Sequence, residues 1–242
     1  MASALAAGCS ASSSPVSSGA PDADGVETAT GASSADTVDV DGAAIRFQSS
    51  GESQAAPLTF LFLHGAAFTS DTWVENGILD ASSQGAVQSI AVDLPGYGES
   101  ERVDLDEADF IPALLVALDL APAATLIISP SMSGIYSLSA LAAGYIDDLA
   151  GFVGVAPSGS SGFAASLAEP LPVPALAVWG DGDGSDPLGQ AQALASGFVN
   201  GEPVVIADAG HAAYNQQPEV FTTLIRDFAA TLDACAATCL DD

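Results

Sequence analysis

The residues best suited to chemistry in this sequence lie at 126–134, Leu-Ile-Ile-Ser-Pro-Ser-Met-Ser-Gly, where a short apolar run breaks into a turn of small side chains. A serine on a tight turn between a buried strand and a helix has its hydroxyl held out, and the helix N-terminus favours negative charge developing there. Three serines compete for that position. Ser129 is followed by Pro130, which has no N–H to offer a developing oxyanion. Ser133 would put Ile135 at a flanking site that calls for a small side chain. Ser131 has small residues on both sides and is followed by Met132, whose N–H is free, so it is the expected nucleophile. The turn departs from the usual G-x-S-x-G in carrying serine at both flanks, Ser129 and Ser133, with Gly134 just beyond.

A serine nucleophile needs a base, and the base needs an orienting carboxylate. The chain has two histidines. His64 lies between Leu63 and Gly65 at the end of an early apolar run, whereas His211 follows Asp208-Ala209-Gly210 after the last one. Read in the order serine, acid, histidine, the base is His211. The acid then comes from the segment 180–187, which offers Asp181, Asp183 and Asp186.

The elements that must position these groups can be read from hydropathy. Val38 and Val40, then Ile45 and Phe47, flank Asp41-Gly42 and predict a β-hairpin. Apolar runs at 59–63, 89–93, 126–130, 151–156, 175–179 and 204–207 read as strands. Helical spacing marks 106–119, 133–143, 186–198 and a stretch from Pro218, and Ser70-Asp71-Thr72-Trp73 reads as a helix start capped by Ser70 or Asp71. Strands alternating with helices imply an α/β chain with a mostly parallel sheet. In such sheets the ligand site lies at the carboxyl ends of the strands, where every candidate residue falls.

In this order the pieces resemble the α/β-hydrolase superfamily: 63–65, the loop 93–100, the elbow at Ser131, 180–183 and 210–211, spread over residues 37–232. Segments 62–70, 129–134 and 134–138 resemble the abhydrolase-domain-14 subfamily, small hydrolases whose elbow also carries serines. The resemblance implies the α/β-hydrolase fold, a mostly parallel central sheet with helices on both faces and no large cap domain. Carried over residue by residue, it makes Ser131 the nucleophile and His211 the base. Asp183, three residues after Gly180, becomes the acid, with Asp186 before Pro187-Leu188-Gly189 as the alternative; Asp181 is a turn residue. The N–H groups of Ala66 and Met132 would form the oxyanion hole. His64 is expected to hold the loop bearing Ala66, and Asp93 and Tyr97 to shape theirs. The implied reaction is hydrolysis of a small ester or thioester through an acyl-enzyme, with no metal and no organic cofactor. Two alternatives stand beside it: an acyltransferase or perhydrolase with an acceptor other than water, and a non-catalytic ligand-binding surface module. The about 16 residues between Ala156 and Val173 are too few for a large cap, and the stretch 158–171, with Phe163 and Leu167, reads as a short flap.

Charge narrows the partners. The 242 residues include 31 acidic ones against three arginines and no lysine, a formal net charge of −28. Nucleic acid and anionic membrane surfaces are excluded as partners, anionic substrates are disfavoured, and the acidic surface suits a saline setting. The resemblance implies a small acyl substrate as the partner. Residues 1–35 are Ala/Ser-rich and too poor in large apolar side chains to repay ordering, so they read as a disordered segment. Within them, residues 5–10 resemble the lipobox of bacterial lipoproteins, preceded by only a stub of a signal. That resemblance implies a lipid anchor at Cys9 and an extracytoplasmic location, surface or periplasm, the cytoplasm being the alternative. The hydrolase domain is expected over 36–234, with 235–242 an acidic tail holding Cys235 and Cys239, either a local disulfide or two free thiols. No apolar run is long enough to span a membrane.

Overall fold

The computed structural model describes residues 34–51, 56–83 and 87–238. The expectations for residues 1–33, including the lipid anchor at Cys9, and for the Cys235–Cys239 pair fall outside what is described.

The chain enters the sheet through a hairpin, β1 (Ser34–Val40) and β2 (Ala43–Ser50). Asp41 and Gly42 between them both take positive φ, 52° and 83°, the two-residue turn whose twist matches that of paired strands. The remaining strands are β3 (Leu58–Phe62), β4 (Val87–Val92), β5 (Thr125–Pro130), β6 (Gly151–Val155), β7 (Ala175–Gly180) and β8 (Gly201–Ile206). They form one eight-stranded sheet in the order β1-β2-β4-β3-β5-β6-β7-β8, antiparallel at β1–β2 and β2–β4 and parallel elsewhere. The helices are α1 (Asp71–Glu75), α2 (Ile78–Ser82), α3 (Glu107–Ala117), α4 (Gly134–Ala142), α5 (Phe163–Ser166), α6 (Pro187–Ala195), α7 (Ala213–Gln216) and α8 (Pro218–Thr238).

Alternate residues of a strand face opposite layers, and the central strands carry apolar side chains at both. Leu61, Leu63 and Ile127 pack with Phe110 and Leu114 of α3, Leu138 and Leu141 of α4 and Leu194 of α6. Phe60, Phe62, Leu126 and Ile128 pack on the other face with Trp73, Leu79, Tyr214, Phe221 and Ile225 of α1, α2, α7 and α8. Burial on both faces is why these strands read as unbroken apolar runs.

The edge is different. β8 starts at Gly201, three residues before the apolar run that marked it, because its outer position leaves Glu202, Pro203 and Val205 exposed and erases the hydropathy signal. Pro203 is tolerated there because β8 pairs with β7 on one side only. Ser70 does stand at the N-cap of α1, but its side chain makes no cap bond; its hydroxyl instead accepts from Arg46 Nη1 at 2.9 Å and Gln48 Nε2 at 3.0 Å. Among the described residues no helix is long and apolar enough to cross a membrane.

Between β6 and α6, where a cap would be inserted, the only helix is the four-residue α5. Phe163 of that segment is buried against Phe198, ring centroids 5.6 Å apart, and Leu167 packs on the same core. Leu171 exchanges backbone bonds with Gly197 and Val199. The large side chains of the segment that read as a flap therefore belong to the core.

Candidate active site

Ser131 follows the last residue of β5 and opens a single 3-10 turn that leads into α4. Its φ is +49°, a left-handed conformation that costs a non-glycine residue on the order of 1–3 kcal/mol and persists only where the surroundings over-determine it. They do so here. The Ser131 carbonyl accepts from Ser158 N–H at 2.7 Å, and the Pro130 carbonyl just before it accepts from Ser133 Oγ at 2.8 Å. Gly134 lets the turn close on the segment after β6, since a Cβ there would lie 2.3 Å from Ser158 O.

His211 is brought in by the loop after β8. Its ring nitrogens lie 2.8 Å from Ser131 Oγ (Nε2) and 2.9 Å from Asp183 Oδ2 (Nδ1). A carboxylate only accepts, so Nδ1 carries the proton and Nε2 is left as the acceptor facing the serine hydroxyl. The loop is fixed from below and from the side. Tyr214 of α7, three residues on, is buried and stacked on Trp73 at 4.5 Å, and Trp73 donates from Nε1 to Leu63 O at 2.9 Å. Gly180 at the end of β7 lets the histidine loop lie directly on the acid loop, where a Cβ would meet Ala209 O and Gly210 O at 2.3 Å. Gly182 N–H and Asp181 Oδ1 then bond the backbone of Ala209.

The three aspartates thus separate. Asp183 contacts His211. Asp186 is an exposed N-cap of α6 that accepts from Gly189 N–H at 3.0 Å, and Asp181 ties two loops together.

The loop after β3 passes against Ser131, since a Cβ on Gly65 would lie 3.3 Å from Ser131 Cβ. Ala66 is exposed beside it, and among the described residues neither Ala66 N–H nor Met132 N–H donates to a protein acceptor. His64 is fully buried: Nδ1–H donates to Gly65 O at 2.9 Å, and Nε2 accepts from Leu94 N–H at 2.9 Å. Burial pushes its pKa below the usual value, outweighing Gly65 O and Asp93, so a neutral ring staples the β3 and β4 loops together. Tyr97 rests edge-on against it at 5.5 Å. Asp93, also fully buried, accepts from Ser70 N–H at 2.8 Å, Glu99 N–H at 2.9 Å and Arg46 Nη1 at 3.2 Å. Burial alone would raise its pKa, but these donors hold the carboxyl below the usual range.

Sequence reasoning missed what lies beneath the turn. Ser129, Ser133 and Ser137 are all fully buried, with Ser129 Oγ 3.0 Å from Ser133 Oγ and 2.7 Å from Ser137 Oγ. The hydroxyls satisfy one another, which explains how serine occupies flanks where glycine is usual. Their spacing of four was the available signal.

The site is open, with the His211 side chain 57% and the Asp183 side chain 20% exposed. A separate cleft of about 450 Å³ runs along α4, lined by Gly134, Ile135, Leu138, Phe163 and Glu107 and by none of Ser131, His211 and Asp183.

A family model described as the alpha/beta hydrolase family matches residues 60–182. A human protein named "Putative protein-lysine deacylase ABHD14B" is 36% identical over 202 residues, covering 79% of this chain and 93% of that one. "Protein ABHD14A" of Danio rerio is 35% identical over 196 residues, 78% of this chain and 71% of its own. Among solved structures, a hydrolase of Thermoplasma acidophilum described as CIB-like superposes with a TM-score of 0.73 at 24% identity, covering 82% of this chain and 98% of that one. The esterase RhEst1 of Rhodococcus sp. superposes at 0.66 with 19% identity over 81% of this chain and 98% of its own, a likeness of fold.

Proposed function

Since the chain belongs to the alpha/beta hydrolase family, we propose that it is a serine hydrolase that cleaves small acyl esters or thioesters through Ser131, His211 and Asp183. The observation that carries this reading is the unbroken line of hydrogen bonds from Asp183 through His211 to a serine held at positive φ.

Ser131 Oγ attacks the acyl carbonyl while His211 Nε2 takes its proton. The Asp183 carboxylate keeps Nδ1 protonated and steadies the imidazolium that forms. Charge on the carbonyl oxygen is met by the N–H groups of Met132 and Ala66, each such donor being worth about 10²–10³ in turnover. His211 returns the proton to the departing alcohol or thiol, leaving an acyl-enzyme. Water, deprotonated by His211, then releases the acid and restores Ser131.

The net charge of −28 disfavours an anionic substrate. A second substrate class, N-acylated lysine side chains, is favoured by the name the human relative carries and by the exposure of His211, which leaves room for a group projecting from a large body.

The test is hydrolysis of nitrophenyl esters of increasing acyl length and of acyl-lysine peptides, by wild type and Ser131→Ala, with fluorophosphonate labelling of the active serine. Turnover and labelling that vanish together in the mutant support the reading. Folded wild type that neither turns over nor labels sinks it.

A further inference from the structure

Each of the three buried hydroxyls below Ser131 has one proton to give, and their surroundings decide where it goes. Ser133 donates to the Pro130 carbonyl at 2.8 Å, so its oxygen can only accept from Ser129. Ser129, having spent its proton on Ser133, can only accept from Ser137, whose 2.7 Å approach is shorter than its 3.3 Å contact with the Ser133 carbonyl. The bonds therefore run one way: Ser137 to Ser129 to Ser133 to the Pro130 carbonyl. That carbonyl belongs to the peptide bond that enters Ser131, and the carbonyl on the exit side is held by Ser158 N–H.

We infer that Ser133, ordered by Ser129 and Ser137, is a positioning residue whose directed chain of hydroxyls locks the Pro130–Ser131 peptide and so holds the nucleophile in its left-handed conformation. The inference rests on the reading of Ser131 as the nucleophile. A glycine-flanked elbow relieves the same crowding by removing side chains; this one replaces them with hydrogen bonds aimed at the strained peptide. The side chains touch no substrate, and their effect passes through the placement of Ser131 Oγ.

Position in the chain predicts the size of the effect. Ser133→Ala removes the bond to the Pro130 carbonyl outright and should lower kcat roughly 10- to 100-fold with KM nearly unchanged, the scale expected when a reacting group is misplaced by a fraction of an ångström to one ångström. Ser129→Ala, one step back, should cost less, and Ser137→Ala least. All three hydroxyls are equally buried, so a merely structural role would give similar losses of thermal stability and no such ranking in kcat.

The experiment is steady-state ester hydrolysis by the three variants, with melting temperatures and a crystal structure of Ser133→Ala, or of Ser137→Ala if the first does not fold. The ranked kcat losses, with a Pro130–Ser131 peptide rotated from its wild-type orientation, establish the chain. Equal or absent kcat losses with an unmoved peptide overturn it. A wild type without activity would remove the hydrolase reading instead, and the peptide orientation in the variant crystal would still decide for or against the hydroxyl chain.

Discussion

Asp183 and Asp186 lie three residues apart on one loop, and exchanging their roles would reverse the outcome of two simple substitutions. Asp183 Oδ2 lies 2.9 Å from His211 Nδ1. Asp183→Asn keeps the shape but puts an amide where a carboxylate held the histidine tautomer, and in serine triads such a change costs about 10⁴ in turnover. At about 1.36 kcal/mol per factor of ten, that is about 5.4 kcal/mol of lost transition-state stabilisation. The fold should barely notice, because the site is half open and the asparagine keeps the volume. Asp186 is bonded to Gly189 N–H at 3.0 Å as the cap of α6. Asp186→Ala removes the cap, a loss of about 1 kcal/mol that lowers Tm by about 2–4 °C in a domain of this size. Its turnover should stay near wild type. Nitrophenyl ester kinetics and a thermal melt on both variants suffice. If Asp183→Asn retains more than about a tenth of wild-type turnover, or Asp186→Ala loses activity on the scale of a missing triad member, the assignment built on the His211 contact is wrong.

Gly180→Ala should cost most of the activity together with several degrees of Tm, since its methyl would sit 2.3 Å from two carbonyl oxygens of the His211 loop; hydrolysis and melting curves that match wild type would show that the two loops separate freely. Stability should fall towards acid in two stages, read as urea midpoints against pH. The first begins below the ordinary histidine pKa of 6.5, because His64 is buried neutral with its folded pKa depressed, so the unfolded chain takes up the proton first. The second begins below about 3.8, because the folded Asp93 pKa is also depressed and the stability it contributes is lost as pH falls through it; His64→Gln should abolish the first stage alone. Tm should rise with salt between about 0.01 and 1 M, as screening shortens from about 30 Å to 3 Å around a chain of net charge −28, and a flat response would mean that self-repulsion contributes little.

The central strands were legible because β3, β5 and β7 are buried on both faces and therefore write continuous apolar runs. β8 blurred for the opposite reason, an exposed edge that needs no apolar side chains. The short helices α2, α5 and α7 left little trace, being four or five residues long with no room for a helical period. At the site, Ser131 and His211 could be picked out because a tight turn and a scarcity of histidines leave few choices. The choice between Asp183 and Asp186 stayed open because both spacings suit an acid, and only the backbone path through Gly180 to Ala209 decides which carboxylate meets His211. Ser70 shows the reverse failure. Its type and place suit a helix cap, yet Arg46 and Gln48, far away in sequence, claim its hydroxyl.

The absence of a roof over His211, with only α5 between β6 and α6 in the described residues, bears on timing as well as access. Lidded hydrolases commit their substrate by a conformational closure, and in many enzymes the reopening, not the bond-breaking, limits the cycle. Here no segment between β6 and α6 has to swing aside before a carbonyl can reach Ser131. On the proposed reaction, the cycle time is then set by acylation or by the lifetime of the acyl-enzyme. The exposed side of the site also leaves that intermediate within reach of whatever nucleophile the surroundings supply.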